Sequence, residues 1–241
     1  VDLCLSHYRK NNPNTFIVIT GHGELPYSKT LDMCDDFFWT PKILPSEINL
    51  GHPRLSNIGI DILKKNGSNK FCKSRLDSII MRKKIINYCD QIITDEKKKI
   101  LITTSNNYDY LMGDLFIYGD IDFIKDCWDI NTWYPSSSGL RSLGRNFLRA
   151  LNIIPPRNWQ EGGKLKGNDT WLDILKANTS YRDPESIRWI DLRSNWKDIF
   201  SIKNYKEKLL NNEFPYKNFI WEAWPRNKEY LPLNEKIFYE K

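Results

Sequence analysis

The chain has 241 residues, 40% of them hydrophobic and 27% charged, with a formal net charge of +6 and a pI near 8.9. That balance is globular and excludes a disordered tail, and the length suffices for one large core without disulfide or metal staples. No apolar run approaches the roughly 18 residues needed to cross a membrane, and Asp2 with Arg9-Lys10 breaks the apolar stretch a secretory signal would need. The cysteines Cys4, Cys34, Cys72, Cys89 and Cys127 are odd in number and lack CxxC spacing. Free thiols in a reducing, cytoplasmic compartment are expected, not a disulfide framework or a zinc ribbon. The basic balance favours anionic partners: nucleoside diphosphates, nucleic acid or an acidic lipid surface.

In chain order, Val1 to Lys10 reads as a helix stopped by Asn11-Asn12-Pro13-Asn14. Thr15 to Thr20 (TFIVIT) is apolar and β-branched, a buried strand closed by Gly21, and Asp35 to Trp39 is a second short strand. Arg54 to Lys65 carries Leu55, Ile58, Ile62 and Leu63 at helical spacing, with Gly67 beyond it. Lys70 to Leu76 reads as a strand and Ile79 to Ile93 as a helix with a basic face at Arg82-Lys83-Lys84. Ile100 to Thr104 and Leu111 to Tyr118 are further strands, and Asp120 is an N-cap for a helix from Ile121 to Trp128. Such alternation predicts an α/β sheet covered on both faces. Past residue 130 the texture becomes helix- and loop-rich, with helices from Ser136 to Leu151 and from Asn168 to Ala177, then a tail of mixed basic and aromatic residues. The two halves have no linker between them, so one domain spanning residues 1–241 is expected.

The stretch most informative about chemistry is Lys73-Ser74-Arg75-Leu76-Asp77, where a strand runs into two cations and an acid. Ligands of α/β sheets gather at the carboxyl ends of strands. There an Asp can hold a divalent cation or a ribose hydroxyl, and an Arg can pair with phosphate through two parallel hydrogen bonds. The plainer alternative is a strand-end ion pair between Arg75 and Asp77. His7, His22 and His52 are spaced unlike a zinc site. His22, between Gly21 and Gly23, could approach a ligand closely or simply occupy a turn. No P-loop, GxGxxG or Gly-x-Ser-x-Gly is present, which removes support for Walker-type phosphoryl transfer, Rossmann dinucleotide binding and serine hydrolysis. Trp159, Trp171, Trp189 and Trp196 could stack on sugar faces, although the area a Trp buries makes core positions the commoner use. The Lys97-Lys98-Lys99 run reads as a solvated face that could also meet anionic lipid.

An ordered set of these segments resembles the WavE-type lipopolysaccharide-synthesis glycosyltransferases. Asn49 and Arg54 followed by Lys73-Ser74-Arg75-Leu76-Asp77 resemble that family's Asn-x-Asn-Arg helix start and Lys-x-Arg-Thr-Asp strand end, with Leu76 in place of the Thr. SHYRKNNPNTFIVITGHGE resembles its helix, Pro turn, strand and polar loop. GDLFIYG (Gly113 to Gly119) resembles its Ser-Asp-Trp-Phe-x-x-Gly strand, and Asn168-Asp169-Thr170-Trp171-Leu172 its Glu-Gln-x-Leu helix start. The likeness covers most of the first 178 residues. It implies a GT-A-like fold, a mostly parallel central sheet flanked by helices, with a nucleotide-sugar-binding half over 1–130 and an acceptor half over 131–241. The implied activity moves a sugar from a nucleotide-sugar donor to a glycan or glycolipid acceptor of lipopolysaccharide type, and the chain is expected in the cytoplasm, either free or peripheral to the inner face of a membrane.

In that reading Arg54, Lys73, Arg75, Asp77 and His22 contact the donor, and Asp77 holds manganese or magnesium. Charge building on the leaving diphosphate must be neutralised by a metal ion, Lys or Arg. A carboxylate must take the proton of the acceptor hydroxyl. Asp169 is the first choice for that base, followed by Glu161 and then Asp114; each could equally be an ordinary cap, loop acid or buried carboxylate. The rival expectations are a nucleic-acid-binding or processing protein, suggested by the basic-aromatic tail, and a catalytically inactive carbohydrate-binding domain.

Overall fold

The computed structural model describes residues 1–26, 28–41, 48–103, 116–133, 139–153, 170–192 and 195–215. The fold is mixed α/β. Helix α1 (Asp2–Asn11) leads to strand β1 (Val18–His22), the short helix α2 (Ser28–Leu31) and strand β2 (Asp36–Thr40). A long helix, α3 (Ile48–Lys65), precedes β3 (Lys70–Lys73) and β4 (Ser78–Ile80). Then come α4 (Ile85–Asp95), β5 (Ile100–Thr103), β6 (Ile117–Asp120), α5 (Ile121–Cys127), α6 (Gly139–Ala150) and α7 (Thr170–Asn178). The remainder is β7 (Thr179–Arg182), α8 (Pro184–Ile187), β8 (Trp189–Asp191), α9 (Trp196–Ser201) and α10 (Tyr205–Asn211).

The strands form a four-stranded sheet in the order β3-β6-β5-β7 and two pairs, β1-β2 and β4-β8. The β1-β2 pair is parallel, as expected. The largest sheet departs from the expected mostly parallel arrangement: β6 runs antiparallel to both β3 and β5, and only the β5-β7 pairing is parallel. Insertion of β6 between β3 and β5, its direction opposite to both, produces the mixture. Two strands from the half read as helix- and loop-rich join sheets founded by the other half, since β7 pairs with β5 and β8 with β4.

Side-chain alternation along the sheet divides the core. Ile100 and Ile102 of β5, with Phe71 and Ile117, pack against Ile121, Ile124, Leu143, Phe147 and Leu175 of the helices on one face. Leu101, Phe116 and Tyr118 point the other way, onto Ile85, Cys89 and Ile93 of α4 and onto Trp189. A third cluster joins Cys4 of α1 to Ile79, Met81, Ile190, Leu192, Ile199 and Leu209. Gly119 is required where β6 passes β5, because a Cβ there would meet the Lys99 carbonyl oxygen at 2.8 Å.

The helix expected over Ile79 to Ile93 begins only at Ile85. Ile79, Ile80 and Met81 are all buried, a continuous apolar run that suits a strand covered on both sides better than one helical face. Lys84 then adopts a left-handed conformation (φ 51°) that separates the strand from α4. In contrast, α3 starts before Arg54 and accommodates Pro53 early in its length. Asp120 caps α5 as expected, accepting from the backbone N–H of Asp122 and Phe123. Trp189 is core, edge-on to Phe116 at 6.3 Å, and Trp196 is half-buried. The Lys97–Lys99 run is only partly a free face: Lys98 Nζ donates to the carbonyl oxygens of Lys176 and Ala177 at 3.0 and 2.9 Å, tying the end of α7. Among the described residues, no helix is long and apolar enough to cross a membrane.

His7 reports on how α1 and α10 pack. Its ring is buried, Nε2 lies 3.2 Å from Asn212 Oδ1, and burial lowers its pKa from 6.5 to about 4. Below pH 6.5 the unfolded chain therefore binds the proton more readily than the folded one, and stability falls with pH until about 4, where the folded ring also charges. Urea unfolding between pH 7 and 4 is expected to lose an acid-labile component of about 3 kcal/mol that His7→Gln lacks.

Candidate functional site

The charged run that ends β3 is anchored from behind by α1. Tyr8 places its hydroxyl 2.9 Å from Ser74 Oγ and donates to the Ser78 carbonyl oxygen at 3.3 Å. Cys4 Sγ donates to the Leu76 carbonyl oxygen at 3.1 Å. Burial pushes both the Tyr8 phenol and the Cys4 thiol up, the latter to about 11, so both remain protonated donors at neutral pH. From the other side the Leu192 N–H donates to the Asp77 carbonyl oxygen at 3.0 Å, just beyond the β4-β8 ladder. Residues 73–77 are thus a turn held at several points.

On that turn Arg75 and Asp77 form a two-pronged ion pair, Nε to Oδ1 at 2.8 Å and Nη2 to Oδ2 at 2.5 Å. The plainer sequence expectation, a strand-end ion pair, is what the geometry shows. Neither partner is deeply buried, with side-chain exposures of 40% and 32%, so the pair can exchange partners when an anion arrives. Lys73 Nζ lies 4.8 Å from the centroid of Trp128, whose ring stacks on Trp133 at 5.4 Å and meets the edge of His52 at 5.3 Å. Asn57 donates to the Trp128 carbonyl oxygen and fixes that residue against α3.

Lys73, Arg75, Asp77 and His22 line one cavity of about 890 Å³, which runs between β1 and β3. His52, Leu55, Ser56, Gly59 and Leu63 of α3 line it too, and Leu5, Tyr8, Ile85 and Ile86 contribute from α1 and α4. His22 is exposed at the end of β1, beside Gly23, whose φ of +91° makes the turn. Arg54 does not join this group; its side chain is exposed on α3 and is not part of the lining. Asp169, Glu161 and Asp114 lie outside the described residues. Sequence reasoning assigned no role to His52. The signal was its position at i relative to Leu55, Ser56, Gly59 and Leu63, one face of a helix at steps of three, four, seven and eleven.

Among the described residues, a divalent cation at Asp77 finds no suitable donor set. Both carboxylate oxygens already accept from Arg75, and among the described residues no group of three or more His, Cys, Asp or Glu side chains could hold a metal ion. The cations Lys73 and Arg75 are the groups at this turn able to neutralise an anion.

Because the Arg75–Asp77 pair is part-exposed, its removal tests the local chemistry without wrecking the fold. Asp77→Ala is expected to cost at most about 1 kcal/mol in urea unfolding, while freeing the Arg75 guanidinium. A loss of several kcal/mol would show that the pair is a structural clamp. The chain matches no family model, no curated protein and no solved structure.

Proposed function

We propose that the chain is a nucleotide-sugar-dependent glycosyltransferase, GT-A-like in architecture, whose donor diphosphate binds at the mouth of the cavity beside Lys73, Arg75 and His22. The observation that carries this reading is the convergence of His22 from the end of β1 with Lys73, Arg75 and Asp77 from the end of β3 on one cavity. Strand ends of an α/β fold are where anionic ligands gather. Departure of a nucleoside diphosphate builds charge that Lys73 and Arg75 can stabilise, and the diphosphate would compete with Asp77 for the Arg75 fork. Asp77, released, can accept a hydrogen bond from a ribose or sugar hydroxyl. The acceptor is a glycan or glycolipid, and Asp169 is the first choice of base for its hydroxyl, ahead of Glu161 and Asp114.

The reading is tested by thermal unfolding with UDP, GDP, CMP and TDP, each with manganese or EDTA. One nucleotide near 100 times its Kd is expected to add about 2.7 kcal/mol, a shift of several degrees. The shift should persist in EDTA. It should weaken about tenfold in affinity in Lys73→Gln or Arg75→Gln and stay unchanged in Arg54→Gln. Absence of a shift with every nucleotide rejects the donor site.

With the donor identified, Asp169→Asn separates binding from proton transfer. Turnover is expected to fall by about 10²- to 10⁴-fold with donor affinity intact. Near-normal turnover moves the role to Glu161 or Asp114.

A further inference from the structure

The cavity has a second property that stands apart from sugar transfer. Every residue from 15 to 22 and from 68 to 77 lines it without a break. Successive side chains of a strand point to opposite faces, so a cavity that touches all of them in turn lies along strand edges rather than over a face. Among the described residues, β1 pairs only with β2 and β3 only with β6, each at the end of its sheet's order. The edges of the two sheets that no described strand covers therefore face one slot.

The hydrogen bonds identify which backbone groups point into it. Asp35 N–H donates to the Ile17 carbonyl oxygen and Gly23 N–H to that of Thr40, which turns residues 17, 19, 21 and 23 toward β2. Val18, Thr20 and His22 consequently present N–H and C=O to the slot. On β3 the Ile121 N–H donates to the Asn69 carbonyl oxygen, which turns residues 69, 71 and 73 toward β6 and leaves Lys70, Cys72 and Ser74 facing the slot. Among the described residues, these slot-facing backbone groups have no hydrogen-bond partner. An apolar small molecule would leave them unsatisfied, at about 1–3 kcal/mol for each group removed from water. An extended peptide satisfies both edges at once.

From this we infer that the slot binds an extended segment of a partner polypeptide, which adds as a β-strand between β1 and β3 and joins the two sheets. The lining specifies the chemistry of that segment. α3 covers one side with Leu55, Gly59 and Leu63, and α1 and α4 cover the other with Leu5, Ile85 and Ile86. A strand enclosed on both faces is apolar and β-branched at successive positions. Lys70, Lys73 and Arg75 outnumber Asp77 along the β3 side, and the Lys70–Asp90 and Arg75–Asp77 pairs are part-exposed, so acidic residues at the ends of the segment can compete for these cations. Main-chain bonds supply affinity and the apolar walls supply selection, as in other strand-addition complexes.

The test is amide hydrogen exchange, resolved by residue, on the chain with a synthetic peptide, acetyl-Glu-Val-Ile-Val-Thr-Ile-Glu-amide, and with the same peptide N-methylated at alternate residues. The expected result is at least tenfold slower exchange at Val18, Thr20, His22, Lys70, Cys72 and Ser74 with the first peptide and no change with the second. Equal binding of the two peptides would show an apolar pocket that uses no main-chain ladder and would overturn the inference. So would unchanged exchange with both, or protection of those amides in the chain alone, which would mean that its own residues occupy the slot. Nucleotide-induced thermal shifts read the donor site separately, so failure of one reading leaves the other standing.

Discussion

The position of β5 at the centre of the four-stranded sheet is the constraint from which the rest of the architecture follows. Ile100, Leu101 and Ile102 are almost fully buried, and each must find apolar neighbours on its own side of the sheet. Alternation sends Ile100 and Ile102 to the helices α5, α6 and α7 and sends Leu101 to α4 and Trp189. A strand buried on both faces also needs hydrogen-bonding neighbours on both edges, because unpaired buried backbone groups are costly. β6 and β7 supply them. β3 is then left on the outside of β6, with one edge paired and the other uncovered among the described residues, and its charged carboxyl end is placed at the surface of the core rather than inside it.

That placement explains how a polar turn can be both firm and reactive. Residues 73–77 follow a strand whose Phe71 is buried in the main core, and α1 grips the turn through Tyr8 and Cys4. The gripping groups are neutral, so they fix geometry without adding charge. The charges themselves, Arg75 and Asp77, satisfy one another at the solvent boundary, where the energy of an ion pair is small. Lys73 rests on Trp128, a residue immobilised by Trp133, His52 and Asn57. A rigid support beneath exchangeable charges would suit the proposed anion site, since orientation is prepared in advance and only a weak internal pair would be given up.

Much of this was legible in the sequence wherever a segment carried its own signal. TFIVIT and ILITT are apolar β-branched runs, and both hold strands, displaced by up to three residues at the ends. Asp120 was readable as a cap because its side chain acts on the helix that immediately follows. Ile79-Ile80 was misread because a short apolar run is compatible with either period, and the deciding fact, pairing with Trp189–Asp191, lies more than a hundred residues away. The antiparallel course of β6 is likewise a long-range property that no local pattern encodes. At the site, Lys73, Arg75 and Asp77 were readable from their position after a strand. Arg54 was grouped with them on a motif, yet its place on α3 turns it outward. The preference of Asp77 for Arg75 over a cation depends on side-chain geometry, which spacing alone does not determine.

The edges of β1 and β3 that no described strand covers bear on how the charged mouth would work. Water can satisfy the slot-facing N–H and C=O groups only by entering a cavity whose walls are Leu5, Leu55, Leu63, Ile85 and Ile86, so hydration there is obtained against an apolar lining. Hydrated, the slot would keep the dielectric high beside Lys73 and Arg75. A strand in the slot would expel that water and replace it with a fixed ladder. Acidic residues at the ends of such a strand would meet Lys73 and Arg75, the cations that the proposed diphosphate also needs, so strand and diphosphate would compete at the mouth, because the backbone edge that binds the strand continues directly into the turn that carries the charges.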